Sequence, residues 1–223
     1  MSTGPDMGSD SSAAIGFSVH TGWAGLVAIA GPLVAPQVID RRRVELLDGP
    51  DADQRRFVFH AASELALQSA RQLVDRTTTA VRKATLKGLR AALAELSESG
   101  VRPALAGILA GGKPPTGTLA AILASHAAIH AAEGELYRQA IVLACQECGL
   151  AARLVPARDA ANQLAEVAGL SPGKIESHLA GLRAVVGAPW GQDQKLAMLA
   201  AWCALADGGP PKAPAAATRR RKS

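Results

Sequence analysis

Apolar and polar positions alternate with a period of two near the start of the chain and with a helical period over most of the rest. Residues 15–20, Ile-Gly-Phe-Ser-Val-His, read as a short strand, Thr21-Gly22 as a turn, and Trp23 to Ala30 as a second strand. Gly31-Pro32 breaks the chain. From Gln37 to Leu47, Val38, Asp40, Arg42 and Val44 alternate with Ile39, Arg41, Arg43 and Glu45, the pattern of a third strand at an edge or with one wet face. The three predict an antiparallel meander.

The period then changes. From His60 to Ser99 there is no proline and a single glycine, and Leu73, Val74, Val81, Leu89, Leu93 and Leu96 recur at helical intervals, which predicts one long helix or two abutting ones stopped by Gly100. Leu105 to Ala110, between Pro103 and Gly111, reads as a buried strand. The loop GGKPPTGT leads to a helix capped by Thr116 or Thr118, running to about Cys148 with Gly149 as its stop. Ala151 to Val155 is a last strand. Helices follow over 157–168, over 172–186 with Ser171 as cap and Pro172 in the first turn, and over 191–206. The order β-β-β-α-β-α-β-α, with extra helix before the last, predicts a single α/β domain over 15–206.

Composition narrows the core. The 223 residues are 48% hydrophobic but only 3% aromatic, so Ala, Leu, Val and Ile must fill the interior, which favours closely packed helices over a β-sandwich. The net charge of +5 is equalled by Lys212, Arg219, Arg220, Arg221 and Lys222, with no acid among residues 208–223, so the body is neutral. That tail, 207–223, is expected to be disordered and suits unspecific contact with a nucleic-acid backbone. Residues 1–14 carry no secretory pattern and are expected to be disordered. No apolar run approaches the ~20 residues of a membrane span, so a cytoplasmic protein without membrane partners is expected; oligomeric state is not indicated. Cys145, Cys148 and Cys203 are an odd set; with no second C-x-x-C pair, Cys145 and Cys148 read as helix thiols.

Candidate chemistry concentrates on the helix after the GGKPPTGT loop. At about 100° per residue, His126, His130, Glu133 and Tyr137 fall on one stripe with Leu119, Ile122, Ala140 and Ala144, so the polar set is expected to point inward. Inward imidazoles and a carboxylate must be hydrogen-bonded, paired or bound to metal. Two readings stand. His126, His130 and Glu133 form a divalent-metal site suited to zinc, iron or manganese better than magnesium, or Glu133 and Tyr137 complete a buried hydrogen-bond network. The glutamate does not lie between the histidines, so the spacing is not that of an HExxH zinc protease.

Gly16-Phe17-Ser18 with Thr21-Gly22-Trp23-Ala24, and the stretch EGELYRQAIVLACQECGLAARLVPARD followed by PWGQDQKLAMLAAWCALA, resemble the ribonuclease H-like superfamily in layout, its Holliday-junction resolvase branch most. The resemblance implies a mixed sheet with strands one, three, four and five parallel, and a metal-dependent phosphodiester-cleaving ancestry. It also implies an aspartate on the first strand, where this chain offers Ser18 and His20, and two acids on the last helix, where Asp193 is followed by Lys195. On that fold His20, His60, His126, Lys113, Asp193 and Lys195 gather toward one sheet edge. His126, His130 and Glu133 are then the metal set, Asp193 completes the shell or acts as base with His20 nearby, and Lys113 and Lys195 neutralise phosphate. The alternative is a non-catalytic nucleic-acid, ligand or self-association protein with structural histidines, favoured by the missing carboxylates. GGKPPTGT has the glycines, lysine and helix start of a phosphate cradle without P-loop spacing. Arg41, Arg42 and Arg43 split between two strand faces and read as a solvated edge.

Overall fold

The computed structural model describes residues 13–208; the expected disordered segments 1–14 and 207–223 lie outside them except for Ala13 and Ala14, which open the first strand, Asp207, which ends the last helix, and Gly208, its C-cap. Strands β1 (Ala13–His20), β2 (Trp23–Ala30) and β3 (Gln37–Glu45) form the meander, turning at Thr21-Gly22, and β4 (Leu105–Ala110) and β5 (Ala151–Pro156) complete a five-stranded sheet of order β3-β2-β1-β4-β5. β2 runs antiparallel to β1 and β3, while β4 pairs parallel with β1 and β5 parallel with β4. Strands one, three, four and five therefore point the same way, and β3 is an edge. This is the mixed sheet, with strands one, three, four and five parallel, that the resemblance implied.

Side-chain alternation sends the strands into two cores. Ile15, Phe17, Leu26, Val44 and Ile108 face helices α3 (Leu67–Glu98) and α5 (His126–Glu147), meeting Val81, Leu89, Tyr137 and Ile141. Ala14, Val27, Ile29, Leu109 and Val155 face α6 (Ala160–Ala168), α7 (Pro172–Val186) and α8 (Gln192–Asp207). Each large aliphatic or aromatic side chain so enclosed contributes about 1.5–3 kcal/mol. Helix α8 is buried continuously from Ala197 to Leu205 and lies directly on β1 and β4. Two strand glycines permit this: a Cβ on Gly16 would overlap the Ala197 carbonyl, and one on Gly107 the Ala200 carbonyl.

Two helical segments break where continuous pattern was expected. The run beginning near His60 divides into α2 (Val58–Ser63) and α3, after a one-turn α1 (Ala52–Arg55). The helix expected from Thr118 to Cys148 divides into α4 (Leu119–Leu123), capped by Thr118, and α5. Ser125 leaves the helical region (φ −130°, ψ 114°) and its hydroxyl accepts from the Ala128 N–H, restarting the helix so that His126 is its first residue. α5 follows the carboxyl end of β4 and leads to the amino end of β5, so its N-terminus stands at the carboxyl edge of the sheet. α2 follows the carboxyl end of β3 and stands at the same edge.

Candidate metal centre

Three histidines converge where α2 crosses the start of α5. His126 and His130, one turn apart, present their Nε2 atoms to each other at 3.2 Å. His60 from α2 joins them: one ring nitrogen from each of the three lies within 4.8 Å of the others, with ring centroids at 4.4, 4.8 and 5.8 Å. A tetrahedral zinc bound at 2.0–2.1 Å holds its nitrogens about 3.3–3.4 Å apart, close to the His126–His130 separation. His126 and His130 are exposed and His60 half-buried, so the open side of the cluster faces water. The expected inward stripe is thus corrected: of its polar members only Glu133 and Tyr137 are buried, while at the start of α5 it is Ile129 and Ala132, beside the histidines, that pack inward.

Glu133 stands behind His60 rather than beside the other two imidazoles. Helix α2 has no capping side chain at Phe57, and its first-turn donors are met from another helix: Glu133 Oε1 accepts from Phe59 N at 2.8 Å and from His60 N at 3.3 Å. The same oxygen lies 3.3 Å from His60 Nδ1. A proton on Nδ1 donated to this carboxylate leaves the lone pair on Nε2, the arrangement by which an outer carboxylate orients a metal-binding imidazole. Glu133 is 3% exposed and its Oε2 has no hydrogen-bond partner among the described residues. Burial pushes its carboxyl up from the ordinary value, opposed by the His60 and Phe59 backbone bonds and the His60 side chain. Tyr137, expected to complete a pairing with Glu133, instead donates to the Arg56 carbonyl at 2.7 Å, tying α5 to the segment before α2. Val58 and Phe59 pack on Ile129 and Ala132 beneath the cluster.

The remaining candidates occupy separate positions. His20, the last residue of β1, places Nε2 2.8 Å from Asp193 Oδ1 at the start of α8 and stacks on Trp23 with centroids 4.1 Å apart, while the Arg43 guanidinium lies 4.3 Å from the Trp23 ring centroid. Asp193 therefore pairs with His20 and not with the three-histidine cluster. Lys195 is half-buried at the start of α8 and makes no ion pair among the described residues. Lys113 is exposed in the loop after β4. His178 stands apart on α7, 3.0 Å from the Pro36 carbonyl. Arg41 reaches the carbonyls of Ala188 and Pro189, and Arg42 pairs with Asp40 and Glu95, so the expected solvated edge is largely tied down.

Two donor sets result. The end of β1 offers Ser18, His20 and Asp193, a single carboxylate already engaged by an imidazole, where magnesium takes one or two carboxylates and completes its octahedron with water. The three-imidazole cluster suits zinc and other late first-row ions. His60 was placed at this sheet edge by the sequence but not grouped with the other two, since 66 residues separate it from His126 and no local pattern links them.

No family model and no curated protein matches the chain. Among solved structures it is similar to T. thermophilus RuvC in complex with Holliday junction substrate, at 11% identity and a TM-score of 0.47, covering 87% of this chain and 93% of that one. It is similar also to the Thermus thermophilus RuvC structure, at 10% identity, with the same TM-score and coverage. Among the described residues no helix is long and apolar enough to cross a membrane.

Proposed function

We propose that this protein is a metal-dependent hydrolase of phosphodiester bonds, with a divalent late transition metal, zinc foremost, held by His60, His126 and His130. The observation that carries the reading is the convergence of three imidazole nitrogens, one side open to water, over a buried carboxylate that orients His60. A bound ion would supply the positive charge that polarises a phosphoryl oxygen and acidifies water. The chain's own contributions are positional. Glu133 holds His60 by its backbone and ring, and Ser125 fixes the turn from which His126 and His130 project.

Phosphodiesters are the proposed substrate class because the cluster stands at the carboxyl edge of a ribonuclease H-like sheet, where open α/β folds bind ligands, with Lys113 and Lys195 near strand ends at that edge. His20 with Asp193 at the end of β1 is the proposed proton-accepting pair. The test is cleavage of an activated phosphodiester and of a branched DNA after reconstitution with zinc or manganese. Cleavage by the wild type that is lost in His60→Ala, with folding retained, supports the reading. Equal cleavage by both would remove it.

A second reading is favoured by the end of β1, where Ser18 and a closed His20–Asp193 pair occupy the place of the acids that the resemblance implies. There the metal would serve binding or structure. Stoichiometric metal with no cleavage of any phosphodiester would select it.

A further inference from the structure

The connections leaving β4 and β5 part at the sheet's carboxyl edge. The two strands are parallel neighbours, paired as far as Ala110 and Pro156. After β4 the chain turns to α4 and α5 on the face lined by Ile108; after β5 it turns to α6 on the opposite face, lined by Leu109 and Val155. Loops that leave adjacent parallel strands toward opposite faces open a crevice between them, the switch point at which open α/β sheets bind ligands. Here the crevice is present, with a volume of about 390 Å³.

Its lining is suited to an anion. Lys113 comes from the loop after β4 and Arg158 from the loop after β5; both are exposed, and neither makes an ion pair among the described residues. Asp159 is the single acid of the lining and stands at the N-cap of α6, a nine-residue helix, without its side chain bonding the first-turn N–H groups. Its carboxylate offsets one of the two cations, and the lining keeps a net positive charge. Gly111 and Gly112 form part of the wall, and nothing lies within 4 Å of where a Cβ on either would stand, so a ligand can approach their backbone closely. Gly112 has φ +45°, which places it in the left-handed region.

We propose that this crevice binds a terminal phosphate group on a small organic substituent, the phosphate held by Lys113, Arg158 and the backbone of Gly111 and Gly112. The substituent rests on the apolar side chains of Ala110, Pro156 and Ala157. The crevice contains none of the three histidines; it shares Lys113 with the phosphodiester reading, and its test is made without metal. Its phosphate has two potential sources, a free phosphate monoester or the 5′-phosphate end of a nucleic acid.

The experiment is amide-resolved NMR titration with calorimetry on full-length protein freed of metal by chelation, so that phosphate cannot report through an ion. The probes are inorganic phosphate, a nucleoside monophosphate, and one short oligonucleotide with and without a 5′-phosphate. Saturable binding that shifts the Gly111 and Gly112 amides is expected, weakened about ten-fold or more in the double variant Lys113→Gln, Arg158→Gln, whose exposed positions leave folding intact. Binding of the monophosphate identifies a small ester as the source; binding confined to the 5′-phosphorylated oligonucleotide identifies a nucleic-acid end. Absence of binding by every probe, equal binding of the unphosphorylated oligonucleotide, or unchanged affinity in a folded double variant would overturn the proposal.

Discussion

Replacing Glu133 with alanine separates its two roles, capping α2 and orienting His60. The carboxylate receives the buried Phe59 N–H at 2.8 Å and the His60 N–H at 3.3 Å. Leaving such a donor without an acceptor costs about 1–3 kcal/mol. Removal of a desolvated carboxyl whose Oε2 has no partner among the described residues offsets part of this, so the net loss in metal-free protein is about 1–2 kcal/mol. At roughly 2–4 °C per kcal/mol for a chain of this size, the midpoint falls by roughly 2–8 °C. The second role appears only with metal, since losing the outer partner of a ligating histidine weakens affinity by about 10–100-fold. Glu133→Gln keeps an acceptor for the Phe59 N–H and is expected to retain most of the stability. It should still bind metal more weakly, because the His60 Nδ1–H then meets a neutral amide. Thermal unfolding with and without chelator, and zinc titration against a competing indicator, read both effects. An alanine variant that melts within about 1 °C of wild type and binds zinc unchanged would refute the assignment of Glu133 to either role.

Two further outcomes test the packing. Gly107→Ala places a methyl group against the α8 backbone and is expected to cost about 1–3 kcal/mol or more in urea unfolding, whereas Gly181→Ala, in the exposed interior of α7 with open space around its Cβ position, stabilises by about 0.4–1 kcal/mol. Alkylation followed by mass spectrometry should modify Cys148 slowly near neutral pH and leave Cys145 and Cys203 untouched until the protein is unfolded. Burial pushes the Cys145 thiol up to about 12 and Cys203 to about 11, so almost no thiolate is present, and Cys148 is shifted in the same direction while remaining partly exposed.

Strand and helix order was readable because the local signals agree with the tertiary arrangement. Thr21-Gly22 between two apolar runs gives the β1–β2 turn, Ser171-Pro172 starts α7, and Gly149 ends α5. The break at Ser125 was not readable, since Ala124-Ser125-His126 contains neither Pro nor Gly and fits a continuous helix equally well. Its consequence is that His126, expected two to three turns into a helix, is the first residue of one. The packing role of Gly16 and Gly107 was equally hidden, because a glycine in an apolar strand does not state which backbone approaches it. The three-histidine cluster was half legible. The i, i+4 spacing marked His126 and His130, while His60 arrives through the packing of Val58 and Phe59 on Ile129 and Ala132.

Metal content after equilibration with zinc, manganese and iron in turn, followed by desalting and elemental mass spectrometry, tests the central claim most directly when wild type is compared with His60→Ala. The account predicts close to one equivalent of a single ion in the wild type, zinc foremost, and its loss in the variant. A wild type that retains none of the three, or a His60→Ala protein that retains as much as the wild type, would contradict it.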